Sequence, residues 1–132
     1  MRQVNARELQ AVMVRGAAWA VEEGYGFPED LEVTEEQGCL CGADPATVSH
    51  TAIQRGLKQP GSLGAGNHFC EVEVVDQIYD ANAAQAFQID QVGQIVVTIH
   101  CGSRGFGHQI AQDYIRLAET KQQDFGFHLV DR

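Results

Sequence analysis

Apolar residues recur at Leu9, Val12, Met13, Ala17, Ala20 and Val21, the spacing of one helical face. Asn5 and Glu8 stand where a capping box opens a helix, Asn in place of Ser or Thr, and Gly24 supplies a stop. The pattern predicts one core-packing helix between them. Residues 25–43 lose this periodicity. They carry Pro28, Gly26, Gly38 and Gly42 among Glu29, Asp30, Glu32, Glu35 and Glu36, and read as a loop with a solvated acidic face and room for a short strand. Asp44-Pro45 is an N-cap followed by proline at the first helical position. It predicts a second helix running to about Gly56, with Val48, Ala52 and Ile53 inward.

The second half switches to strand-like runs bounded by glycine. His68 to Val75 reads as a strand, Asp80 to Phe87 as a short alanine-rich helix, and Gln94 to His100 as a β-branched strand. His108 to about Glu119 returns to helical spacing, with Ile110, Tyr114, Leu117 and Ala118 facing inward. Helices at both ends of two strand-like runs predict an α+β fold: a small, mainly antiparallel sheet with three or four packed helices, in a single domain over residues 1–132.

Charge narrows the function classes. Lys and Arg number 9 against 18 for Asp and Glu, a net charge of -9. A basic face of the kind that holds nucleic acid in bulk is therefore not expected, and any such role must rest on a few placed residues. No run of 18 apolar residues occurs, so no membrane helix is expected. With no basic-then-apolar leader at its start, the chain is expected in the cytoplasm, with Cys39, Cys41, Cys70 and Cys101 as reduced thiols. Cys39-Leu40-Cys41 is spaced too closely for a zinc knuckle and reads as two small residues in a turn-rich loop.

Six of the 14 glycines fall in two short runs, Gly61 to Gly66 and Gly102 to Gly107, each adjoining a histidine at a strand end. The first run lacks the Gly-Lys-Ser/Thr ending of a phosphate-binding P-loop and the third glycine of a dinucleotide fingerprint. At the second, a strand ends at His100, Arg104 projects from the turn, and a helix is expected just after. Backbone N–H groups at a helix start, with a guanidinium beside them, suit a phosphate. The alternative is a tight turn with Arg104 in solvent. A lone histidine is usually an ordinary core or surface residue, and His50, His108 and His128, on helices or in the tail, are read as surface residues. His68 and His100, flanked by Asn67, Cys70, Glu71 and Cys101, also suit Zn²⁺, Mn²⁺ or Fe²⁺. Spacing leaves both readings open.

Two runs go further than spacing. Gly61-Ser62-Leu63-Gly64-Ala65-Gly66-Asn67-His68-Phe69 strongly resembles a signature of the RtcB family of RNA ligases, as does His100-Cys101-Gly102-Ser103-Arg104-Gly105-Phe106-Gly107-His108-Gln109. Ala43-Asp44-Pro45, Arg55-Gly56-Leu57 and Val74-Val75-Asp76 are similar to the same family, and the likeness runs from about Leu9 to about Leu117. The resemblance implies a ligase dependent on Mn²⁺ and GTP, joining RNA 2′,3′-cyclic phosphate or 3′-phosphate ends to 5′-hydroxyl ends in tRNA splicing and RNA repair. Its implied partners are RNA ends such as tRNA halves. Carried over by motif, His68 and His100 are metal ligands. Asn67 contacts the nucleotide phosphate, Phe69 and Glu71 lie beside the guanine, and Arg104, with Gly105 and Gly107, holds an RNA terminal phosphate.

The departures are specific. The family's Asp-x-x-Cys metal motif has no match upstream of Leu9, and neither His108 nor His128 matches its later metal-binding or guanylylated histidine. Cys101 stands where serine or threonine is usual and Cys70 where an aliphatic residue is common. The resemblance therefore implies a central segment of the ligase, inactive alone, with apolar surface bared for self-association. The alternatives from other classes are a non-catalytic module binding phosphate or a partner, and a small metal-binding protein using His68, His100, Cys70 and Cys101. A shared metal site also requires antiparallel strands. Parallel, level strands would hold the two histidines about 20 Å apart, whereas antiparallel pairing brings them to one end. Both sit at even positions, and with Cys70, Val72, Val96 and Thr98 they are expected on one face.

Overall fold

The computed structural model describes residues 3–122, Asp124 and Gly126. His128, expected at the surface, lies outside the described residues. Among the described residues, five α-helices and two strands follow in the order α1 (Ala6–Arg15), α2 (Ala17–Glu22), α3 (His50–Gly56), β1 (Phe69–Val74), α4 (Ala81–Ala86), β2 (Ile95–His100) and α5 (Arg104–Lys121). The α+β class holds, and the sheet is one antiparallel pair. The chain divides into two compact units, residues 1–62 with 103–132, and residues 63–102.

In the first unit the capping box forms as the sequence implies. Asn5 Oδ1 accepts from the amides of Arg7 (2.9 Å) and Glu8 (3.0 Å), and the Asn5 amide donates to Glu8 Oε2 at 2.8 Å. Val4, just before the cap, clusters with Leu9 on the first turn, a hydrophobic staple. Trp19 joins them to make the core, with Val12, Met13, Ala20, Ile53 and Leu57 packed around it.

Three expectations are corrected here. The first helix is not continuous to Gly24: it breaks at Gly16, whose φ of +52° ends α1 and begins α2. A Cβ on Gly16 would stand 1.9 Å from the Gly38 carbonyl oxygen, so the turn at Glu35–Gly38 and the break fit together only through glycine. Residues 25–43 contain 3-10 turns at Pro28–Leu31 and Glu35–Gly38 rather than a strand. The second helix divides as well. Asp44 caps only the turn Pro45–Thr47, Val48 is extended, and Ser49 caps α3 afresh by accepting from the Ala52 amide at 3.2 Å.

The last helix begins four residues earlier than expected, at Arg104, because the Ser103 carbonyl accepts from both Phe106 (3.1 Å) and Gly107 (3.3 Å). Gln109 is its buried residue and Ile110 is half-buried, while Tyr114, Leu117 and Ala118, expected inward, are exposed. Length explains this. Helix α5 packs on α3, and seven residues of α3 span about 10 Å against about 27 Å for α5. The first half of α5 is covered and the second is not.

In the second unit the register pairs Phe69 with His100, Glu71 with Thr98 and Glu73 with Val96. One face therefore carries Phe69, Glu71, Glu73, Val96, Thr98 and His100, and the Thr98 hydroxyl donates to the Glu73 carboxylate. The other carries Cys70, Val72, Val74, Ile95, Val97 and Ile99 and is exposed, from 58% at Ile95 and Val97 to 73% at Val72 among its large side chains. Asp80 caps α4 through the amides of Asn82 and Ala83. Among the described residues no helix is long and apolar enough to cross a membrane.

Candidate functional site

The antiparallel register brings His68 and His100 to one end of the strand pair, with ring centroids 6.4 Å apart. The expectation about their shared face is corrected. Paired positions sum to an odd number, so even positions of β1 align with odd positions of β2, and Cys70 and Val72 lie opposite Ile99 and Val97. His68 approaches His100 because it precedes the strand, where alternation no longer governs its direction. Gly66, at φ +77°, turns the chain there, and the His68 Nδ1–H donates to the Ala65 carbonyl at 2.9 Å. A carbonyl can only accept, so the proton of the neutral ring sits on Nδ1 and the Nε2 lone pair is left for a ligand. This is the arrangement that metal-binding histidines use.

The Phe69 ring stacks on His100, 5.4 Å between centroids and 15° between planes. Glu71 lies on the same face, directly across from Thr98, and Asn67 is exposed in the turn before β1. Among the described residues no group of three or more His, Cys, Asp or Glu stands where it could hold a metal ion. The pair His68 and His100 thus offers two donors, and most metals need four or more.

Arg104, Gly105 and Gly107 belong to the other unit. Instead of lying in a loop before the helix, they form its first turn, with Arg104 itself at φ +52°. The phosphate site expected at the amides of Gly105 to Gly107 is narrowed accordingly. The Phe106 amide is shared between the Ser103 carbonyl and Gln59 Oε1, both at 3.1 Å, and the Gly107 amide donates to Ser103. The Arg104 guanidinium reaches back to Ser62. Its Nη1 donates to Ser62 Oγ at 2.8 Å and to the Ser62 carbonyl at 3.3 Å.

Sequence reasoning missed Gln59 and Ser62, which hold the start of α5 from 42 to 47 residues away. Only long-range pairing reveals them. It also missed the junction of α3 and α5, where the Ser49 hydroxyl donates to Asp113 Oδ2 at 2.5 Å and Gln109 Nε2 donates to Asp113 Oδ1 at 2.8 Å. The Ser49 and then the Gln109 hydrogen bond hold the Asp113 carboxyl below the usual aspartate range, helped by Arg116 and Arg55 and opposed by partial burial. The i,i+4 spacing of Gln109 and Asp113 was its one local signal. Of the close cysteine pair, Cys39 donates its thiol to the Val14 carbonyl and Cys41 is exposed.

The family model for tRNA-splicing ligase RtcB matches residues 1–132. A tRNA-splicing ligase RtcB of Pyrobaculum aerophilum is 50% identical over 98% of this chain and 27% of its own length. Those of Archaeoglobus fulgidus (47% identical, 98% of this chain, 27% of the relative) and Pyrococcus furiosus (51%, 95% and 13%) are similar to it in the same way. The chain thus spans about a quarter or less of the length of these relatives.

Proposed function

Since the chain belongs to the RtcB family, we propose that it is a segment of an RNA ligase that helps join 2′,3′-cyclic phosphate or 3′-phosphate RNA ends to 5′-hydroxyl ends, with GTP and Mn²⁺, in tRNA splicing and RNA repair. The observation that carries this reading is the convergence of His68 and His100, 6.4 Å apart at one end of a strand pair.

In this reading His68 and His100 contribute two ligands to a manganese site completed by other parts of a longer protein. The Nδ1–H bond of His68 to Ala65 fits that role by fixing the ring with Nε2 available. When bound, the metal supplies positive charge that stabilises the phosphoryl groups during transfer. Phe69 and Glu71, on one face with His100, suit the flat guanine ring and its polar N–H edge, and Asn67 suits the nucleotide phosphate. Arg104, in the first turn of α5 with Gly105 and Gly107, receives an RNA terminal phosphate; its planar fork matches a phosphate's oxygens. The net charge of -9 leaves this recognition to placed groups rather than to a basic surface. The partners are RNA ends, and the setting is the cytoplasm.

The exposed apolar face of the sheet belongs to the same picture. In a longer ligase the remaining polypeptide covers it, and in the isolated chain it drives self-association. The test is a chimera of the Pyrobaculum aerophilum ligase carrying this chain in place of its matching stretch. It is expected to join 3′-phosphate RNA to 5′-hydroxyl RNA, and His68→Ala or His100→Ala is expected to abolish joining. A chimera that ligates equally well without either histidine refutes the reading.

A further inference from the structure

We propose that Ser62 is a positioning residue for Arg104, holding the guanidinium in a fixed plane for a phosphate oxyanion; the inference rests on the phosphate reading of Arg104. Three bonds make the case. Arg104 Nη1 donates to Ser62 Oγ at 2.8 Å, and the Ser62 hydroxyl donates onward to the Gln59 carbonyl at 2.7 Å. The Gln59 side chain in turn accepts the Phe106 amide at 3.1 Å. A hydroxyl has one proton, and here Gln59 takes it, so the Ser62 oxygen is left oriented as an acceptor towards Arg104.

The turn from Gln59 to Ser62 is therefore fastened at two points to the first turn of α5. One of those points is Arg104 itself, whose φ of +52° is one that a side-chain-bearing residue rarely adopts. Such strain persists where surrounding structure over-determines it, and it concentrates at ligand clamps. A long arginine side chain normally loses much rotamer freedom when it captures a ligand. Holding one amino group on Ser62 fixes the plane of the fork beforehand, so less freedom remains to be lost.

Inorganic phosphate titrated into the 132-residue chain, followed by amide NMR at Gly105, tests this directly. Arg104→Ala is expected to abolish the response. Ser62→Ala is expected to weaken phosphate affinity roughly two- to tenfold, the cost of ordering one long side chain. Ser62→Thr, which keeps the hydroxyl, is expected to bind like the parent, a rescue that a merely structural role for the serine would not show. If Arg104→Ala binds phosphate like the parent, the phosphate reading of Arg104 falls and the proposal with it. If Arg104→Ala loses binding while Ser62→Ala keeps it, Arg104 stands and the positioning role of Ser62 is overturned. Failure of Ser62→Thr to restore the loss in Ser62→Ala overturns it too.

Discussion

Replacing Gly16 with alanine tests the hinge between α1 and α2 more sharply than any core truncation. Two costs arise there. A left-handed φ of +52° strains an alanine by roughly 1–2 kcal/mol. The new Cβ would also lie 1.9 Å from the Gly38 carbonyl oxygen, closer than real contacts allow. Relief requires the Glu35–Gly38 turn to move, and forced repacking of this kind costs about 1–3 kcal/mol. Moving that turn is hard, because Gly38 itself approaches Ala17 and the Cys39 thiol is bonded to the Val14 carbonyl. Alanine's lower unfolded-state entropy returns only about 0.4–1 kcal/mol. The net loss is then roughly 1–5 kcal/mol, a large share of a stability of about 5–15 kcal/mol. Gly24 is the control: its φ is +80°, yet nothing lies within 4 Å of a Cβ built there, so Gly24→Ala meets strain without collision. Urea denaturation followed by fluorescence of Trp19, the single tryptophan, 4% exposed in the adjoining helix, reads both variants. Gly16→Ala is expected to lose about 1–3 kcal/mol more than Gly24→Ala. Equal losses would refute the close approach of Gly16 to Gly38.

Three further outcomes follow from the same structure. Asp113 has a folded-state pKa held below the ordinary aspartate value of about 3.9, so its contribution to stability is present above that value and is lost as pH falls through the folded pKa. Acid denaturation followed by circular dichroism should therefore show a weaker pH dependence below about pH 4 in Asp113→Asn than in the parent. At position 104, glycine relieves the left-handed backbone that alanine keeps, so Arg104→Gly should be more stable than Arg104→Ala by roughly 1 kcal/mol in urea; the reverse order would deny the strain. Incubated with Mn²⁺ and radiolabelled GTP, the chain alone should form no covalent guanylate, and a stable adduct on any of its five histidines would mean that it carries its own nucleophile.

The sequence is legible where one short segment decides the outcome. The capping box at Asn5 and Glu8, the alanine-rich helix capped by Asp80, and both strands appear within a residue or two of their expected bounds. Legibility ends where distant residues decide. Gly16 looks like a tolerated helical glycine until Gly38 is brought against it. Gly105 and Gly107 look like loop residues, but the Gln59 side chain closes over Gly105, where a Cβ would fall 2.9 Å from Gln59 Nε2, and the helix begins earlier. Tyr114 and Leu117 keep helical spacing, yet the short α3 reaches only the first half of α5. Of the candidate site, the motifs single out the histidines and Arg104, and the structure brings the two histidine rings within 6.4 Å. The facing of the strands was not legible, because parity depends on a register that no single strand encodes.

The proposed function turns on His68 and His100 acting as one metal-holding pair. Mn²⁺ titrated into the 132-residue chain, followed by paramagnetic broadening of the histidine ring signals in NMR, measures this directly, since the method registers even the weak binding expected of two ligands. Both rings are expected to broaden together at the lowest Mn²⁺ concentrations, ahead of His50 and His108, and His68→Ala is expected to reduce broadening at His100 sharply. Broadening of one ring without the other, or of His100 unchanged in His68→Ala, would contradict the pairing.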